Sequence, residues 1–124
     1  MRFLIVDDSP ADRELIMRKL RQAFEDVEFI EVGGRSDFEQ ALVGTDFDLV
    51  LSDYYLHWSD GLEIFQKIRA RYPEVPVVMF TDSGNEEVAV LGMKMGLSDY
   101  LRKHDLDRLP IAVRESIEKT RLRR

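Results

Sequence analysis

Short apolar runs alternate along the whole chain with longer stretches in which apolar residues return every three or four positions. A chain that switches between these two periods five times folds as buried strands, each followed by a covering helix. Phe3 to Val6 reads as a first buried strand. Pro10 follows at the opening turn of a helix with Ser9 as N-cap, and Ile16, Leu20, Ala23 and Phe24 give that helix one apolar stripe. Val27 to Val32 reads as the second strand, and Glu28 and Glu31 within it point to an edge position. Gly33-Gly34 breaks the chain before a short helix from Asp37 to Val43, which Gly44 ends. Asp48 to Asp53 reads as a central strand that finishes on an acid. Asp60-Gly61 opens a helix carrying Leu62, Phe65, Ile68 and Arg69 as far as Tyr72-Pro73. Val75 to Phe80 is the fourth strand, left by a loop Thr81-Asp82-Ser83-Gly84. Glu86 to Met95 is the fourth helix, stopped by Gly96, and Tyr100-Leu101 marks a short fifth strand. A last helix begins between Leu106 and Pro110, with Leu109, Val113 and Ile117 on one face. Strict alternation of five strands and five helices implies right-handed crossovers and a doubly wound α/β fold, a parallel sheet covered on both faces. With no internal repeat and no linker, residues 1–124 read as one domain.

Composition removes several classes of function. There is no cysteine, so disulfides and thiolate metal sites are excluded. The apolar stretch after Arg2 is too short for a signal segment, and the run Val75 to Phe80 is interrupted by Pro76, so no membrane span is expected and the chain reads as cytoplasmic. A net charge of −6 disfavours direct nucleic-acid binding, which draws on clustered Lys and Arg. The basic tail Arg121-Leu122-Arg123-Arg124 reads as a helix end placed well for the macrodipole.

In an open parallel sheet, ligands bind beyond the carboxyl ends of the strands. The first strand delivers Asp7 and Asp8 there, the third Asp53, the fourth Thr81, and Lys103 follows the fifth. Three neighbouring carboxylates repel one another, and a hard divalent cation with oxygen ligands, Mg²⁺ in the first place, relieves that repulsion. Lys103 and the Thr81 hydroxyl are suited to phosphate oxygens, and an aspartate is a competent phosphoryl acceptor, so the set fits a reversible aspartyl phosphate. Taken singly, each residue is more readily an ordinary helix cap or turn former; it is the set at the strand ends that points to a site.

At these residues the sequence resembles the receiver domains of response regulators. The likeness is carried by Ile5-Val6-Asp7-Asp8-Ser9-Pro10, by Asp48 to Asp53 followed by Asp60-Gly61, by Phe80-Thr81, and by Gly96 to Lys103. The resemblance implies a flavodoxin-like sheet of order 2-1-3-4-5. It implies Asp53 as the phosphoacceptor, served by a histidine kinase or histidine phosphotransfer protein. It implies Mg²⁺ held by Asp8, Asp53 and the backbone carbonyl of Tyr55, with Asp7 acting mainly through water. Thr81 matches a switch hydroxyl, Lys103 the phosphate-binding lysine, and Tyr100 an aromatic that turns inward and alters the surface of the fourth helix, fifth strand and fifth helix, where an output domain or partner binds. A half-buried strand aromatic is the plainer reading of Tyr100.

Four positions depart from the family pattern. His57 and Trp58 stand where the family has Pro and its successor, which implies a bulkier, more flexible loop, with the imidazole in solvent. Asp82 replaces a small residue beside Thr81 and adds a repelling carboxylate. Lys103 is followed by His104 where the family has proline, and a trans bond is expected because a non-proline cis bond costs about 3 kcal/mol. Tyr55 lies two residues after the acceptor, where it shields a phosphate from water. Two further readings stay open. One is a scaffold that keeps the fold without being phosphorylated. The other, an aspartate-nucleophile phosphatase, lacks the second acid it needs because Tyr55 occupies that position, so a stoichiometric acceptor and not an enzyme is expected.

Overall fold

A computed structural model of the chain describes residues 1–44, 46–82 and 86–122. Ser83 and Gly84 of the loop after the fourth strand, and Arg123 and Arg124 of the basic tail, lie outside them. The strands are β1 (Arg2–Val6), β2 (Glu28–Val32), β3 (Leu49–Ser52), β4 (Val77–Thr81) and β5 (Asp99–Arg102). The helices are α1 (Pro10–Ala23), α2 (Arg35–Gly44), α3 (Gly61–Arg71), α4 (Glu86–Met95) and α5 (Leu109–Leu122). All strand pairs are parallel, in the order β2-β1-β3-β4-β5.

Strand alternation sorts the core into two layers. Phe3, Ile5, Leu49, Leu51, Val78, Phe80 and Leu101 face α1 and α5, where they meet Ile16, Leu20, Leu109 and Val113. Leu4, Val6, Val32, Val50, Val77 and Met79 face the other way, onto Phe38, Ile64, Phe65 and Ile68. Successive strand residues point to opposite faces, so strands buried on both sides are apolar along most of their length: β3 and β4 are buried throughout, and their only polar residues, Ser52 and Thr81, stand at the carboxyl ends. β2, at the edge, keeps Glu28 and Glu31 exposed.

Sequence and structure differ in several places, among them β4, which runs Val77–Thr81 and takes in Thr81 where Val75 to Phe80 was expected. On α3 the buried face is Gly61, Ile64, Phe65 and Ile68, so Ile64 belongs to the core and Leu62 only borders it. α2 begins at Arg35, two residues before the expected Asp37. A 3₁₀ turn, Lys103–Arg108, precedes α5, so Lys103 starts a helical turn where a plain loop was expected. The Lys103–His104 bond is trans, as expected.

Two glycines fix the path of the chain around α3 and α4. Gly96 has φ +114°, a left-handed conformation that ends α4. At Gly61 a Cβ would come within 2.9 Å of the Asp53 carbonyl oxygen and 2.7 Å of the Met79 side chain, so only glycine lets α3 begin this close to the β3 terminus.

Candidate functional site

Backbone ladders bring the acids together before any side chain is considered. The Asp7 N–H donates to the Val32 carbonyl (3.0 Å) and the Asp53 N–H to the Val6 carbonyl (2.9 Å), which extends the β1–β2 and β1–β3 pairing one residue beyond the strands. Asp7 and Asp53 therefore sit side by side, Asp7 buried and Asp53 nearly so. They open into a cleft that Asp8, Thr81, Asp82 and Lys103 also line, with Tyr55 and His57 on its β3–α3 rim.

Lys103 stands at its centre. Its Nζ lies 2.7 Å from Asp7 Oδ2, 2.7 Å from Asp12 Oδ2 and 2.9 Å from Asp53 Oδ2, with only 10% of the side chain exposed. Burial alone would push the ammonium down, but the hydrogen bonds of Asp12, Asp7 and Asp53 overcome it and hold Lys103 above the usual lysine range. Asp7 responds the other way. Its burial raises the carboxyl above the usual aspartate range, and the neighbouring Asp53 charge adds to this, against the lowering bonds from Lys103 and from the Ser9 N–H (2.9 Å). The Asp53 carboxylate is oriented on its other oxygen by the Tyr55 N–H, which donates to Oδ1 at 3.3 Å.

Asp12 is the member of this cluster that the sequence did not single out. It lies in the first turn of α1, where its own N–H donates to the N-cap Ser9 Oγ (3.2 Å), and that turn faces the cleft. The capping pattern carries the signal: a residue three places after the cap looks back over the strand end that the helix leaves.

Asp8, on the same cleft, is bonded to the β3–α3 loop. Its Oδ1 accepts from the Trp58 indole Nε1–H (3.0 Å) and its Oδ2 from the His57 backbone N–H (2.6 Å). Among the described residues, no three acid or imidazole side chains surround a common point that could hold a metal. Asp7, Asp8 and Asp53 line one cleft, with the Lys103 ammonium between Asp7 and Asp53 and both Asp8 oxygens bonded to the β3–α3 loop. The donor set still fits a hard cation: every side-chain donor is a carboxylate oxygen, and Asp7 Oδ2 is buried without a well-aligned hydrogen bond.

The β3–α3 loop makes several contacts of its own. It is bulky, but it is tied at Asp8, bridged between Tyr55 and Asp60, and anchored where the Arg35 guanidinium donates to the Trp58 carbonyl. The His57 side chain is 94% exposed, in solvent as expected. Tyr55 is half exposed at the rim, and Asp82 is exposed. Thr81 is buried at the end of β4. Tyr100 is not part of the acid cleft. It packs with the α2–α3–α4 layer and lines a separate groove with Glu86, Ala89 and Arg102, its buried hydroxyl without a partner among the described residues.

The profile of the response regulator receiver domain matches residues 3–114. The chain is 31% identical over 106 residues to chemotaxis protein CheY1 of Helicobacter pylori strain J99, covering 83% of this chain and 85% of that protein. It is 41% identical over 80 residues to the nitrogen assimilation regulatory protein NtrX of Azorhizobium caulinodans, covering 62% of this chain but 18% of that much longer protein. A receiver domain protein from Clostridium thermocellum shares the fold with a TM-score of 0.85 at 24% identity, over 99% of this chain and 98% of its own. The Mn²⁺-bound form of response regulator Rcp1 aligns with a TM-score of 0.73 at 26% identity, over 88% of each chain. No helix among the described residues is long and apolar enough to cross a membrane.

Proposed function

Because the chain belongs to the response regulator receiver domain family, we propose that it is a phosphorylation switch whose acceptor is Asp53. The observation that carries this reading is the shared ammonium: Lys103 Nζ contacts Asp53 Oδ2 at 2.9 Å while the other Asp53 oxygen is fixed by the Tyr55 N–H. A carboxylate held between two donors at the mouth of a cleft is oriented for attack on phosphorus.

In the transfer, an Asp53 oxygen forms a P–O bond as the P–N bond of a donor phosphohistidine breaks and the imidazole leaves. The donor is a histidine kinase or a histidine phosphotransfer protein. Once Asp53 becomes an acyl phosphate, the carboxylate charge is replaced by that of the phosphoryl oxygens, and the Lys103 N–H that it held turns to one of them. Asp8, Asp53 and the Tyr55 carbonyl, with Asp7 behind, would hold a divalent cation, Mg²⁺ in the cell, which would supply positive charge against the incoming phosphoryl oxygens. The Mn²⁺-bound relative supports a divalent site of this kind. Thr81, buried at the β4 end, offers its hydroxyl to the phosphoryl group, and Tyr100 on β5 carries the change to the face formed by α4, β5 and α5. That face meets the output domain or partner, with no direct nucleic-acid contact and no membrane. The chain acts stoichiometrically, in the cytoplasm, with residues 1–124 as one receiver domain.

Incubation with acetyl phosphate and Mg²⁺ followed by intact-mass measurement tests this. One phosphoryl group is expected on the protein and none on Asp53→Asn. A chain that takes up no phosphate is a scaffold with the receiver fold. Tyr55 and Asp82 set the rates: Asp82→Ala speeds labelling by removing a repelling charge, and Tyr55→Ala speeds loss of the phosphate by uncovering it.

A further inference from the structure

We propose that Trp58 and the His57 N–H form a latch that holds Asp8 away from the cation site and must release it before a divalent ion binds. The inference rests on the reading that Asp8 and Asp53 hold that ion. Both Asp8 oxygens are committed to the β3–α3 loop, Oδ1 to the Trp58 indole at 3.0 Å and Oδ2 to the His57 N–H at 2.6 Å. Neither touches Lys103, whose described carboxylate partners are Asp7, Asp12 and Asp53. The acids of the cleft are therefore split into two sets, one around the ammonium and one oxygen pair around the loop.

The indole cannot simply follow Asp8 inward. Its ring packs on Phe38 with centroids 5.8 Å apart, the Arg35 guanidinium lies 5.5 Å from the ring centroid, and the same guanidinium donates to the Trp58 carbonyl. Phe38 is a buried residue of α2, so the ring is fixed to the helical layer and not to the cleft. A carboxylate that accepts two N–H bonds has less charge to offer a cation, and drawing it toward Asp53 strains its bonds to the loop. Metal binding is thereby coupled to the loop. The ion gains Asp8 only as the indole N–H loses it.

The chain contains a single tryptophan, so its indole N–H gives one assignable resonance. Titration of the full chain with Mg²⁺ alone, by calorimetry and by NMR, reads both sides of the exchange. Trp58→Phe, which keeps the ring and removes the donor, is expected to bind Mg²⁺ about five- to tenfold tighter than wild type. The wild-type indole proton is expected to move toward its solvent-exposed position at saturation. Arg35→Gln, which loosens the anchor without touching the cleft, is expected to tighten binding about two- to threefold and covers the case of a poorly folded Trp58 variant. Unchanged or weaker binding in Trp58→Phe overturns the latch, since a tryptophan that orients Asp8 for the metal gives weaker binding. So does an indole resonance that stays put when wild type is saturated. If wild type and variants alike bind no Mg²⁺, the cation reading itself falls along with the latch. Normal wild-type binding with an unaltered variant removes the latch alone.

Discussion

Both ends of this sheet gather acids around one basic residue, and the two clusters differ in their exposure. At the amino ends of the strands, Arg2 pairs with Glu28 at 3.2 Å and its backbone N–H donates to Asp48 at 2.8 Å, with Arg2 and Glu28 side chains 40% and 70% exposed. At the carboxyl ends, Lys103 is 10% exposed and Asp7 and Asp53 only 2% and 11%. The ingredients match; the solvent does not. Water screens the first cluster and leaves it worth little. In the second, each charge depends on its neighbours, so that removing one changes the others, which is the condition for a site that answers to phosphate.

The largest separation of the two ends is expected from paired acid substitutions. Asp53→Asn should abolish uptake from acetyl phosphate, while Asp48→Asn leaves it unchanged, both read by intact mass. Next comes Lys103→Met. With no ammonium between Asp7 and Asp53, unfolding in urea at pH 7 should show a loss of about 3 kcal/mol. The loss should shrink in acid as the two carboxylates protonate.

A smaller effect of opposite sign is expected at Asp7. Its carboxyl is raised by burial, so the folded state holds that proton more tightly than the unfolded chain does. Its contribution is therefore favourable below the ordinary aspartate range and is lost as pH rises through the raised value. Asp7→Asn should stabilise the protein at neutral pH by up to about 1 kcal/mol and converge with wild type in acid, measured as urea midpoints against pH. The smallest change is Arg2→Ala, about 0.5 kcal/mol or less by the same assay. An Arg2 effect as large as that of Lys103 would erase the distinction between the two ends.

What could be read from the residues follows from the same physics. Asp7, Asp53 and Thr81 were legible because short apolar strands buried on both faces run straight to their tips, and the tip position is set by counting. The order and handedness of the strands add nothing local to the sequence; they follow from crossover geometry and from the family likeness. Asp12 was not legible as a partner of Lys103, because that contact depends on how far α1 is rotated about its axis, which one turn of sequence leaves open. The Trp58–Asp8 bond spans fifty residues and a loop with no repeating period. The 3₁₀ turn after β5 was hidden because Lys103–Arg108 contains no buried residue to give it a pattern. Ile64 and Leu62 are two positions apart on α3, close enough for a short apolar face to be drawn one step out of phase.

The absent side chain at position 61 has a mechanical consequence. The Gly61 N–H donates to the Tyr54 carbonyl at 2.8 Å, and its α-carbon lies so near the Asp53 peptide that no methyl group fits between them. The first turn of α3 and the Asp53 peptide therefore travel as one piece. A tilt of that helix, whether from a docking protein outside or a repacked layer beneath, reaches the proposed acceptor with no slack in the coupling.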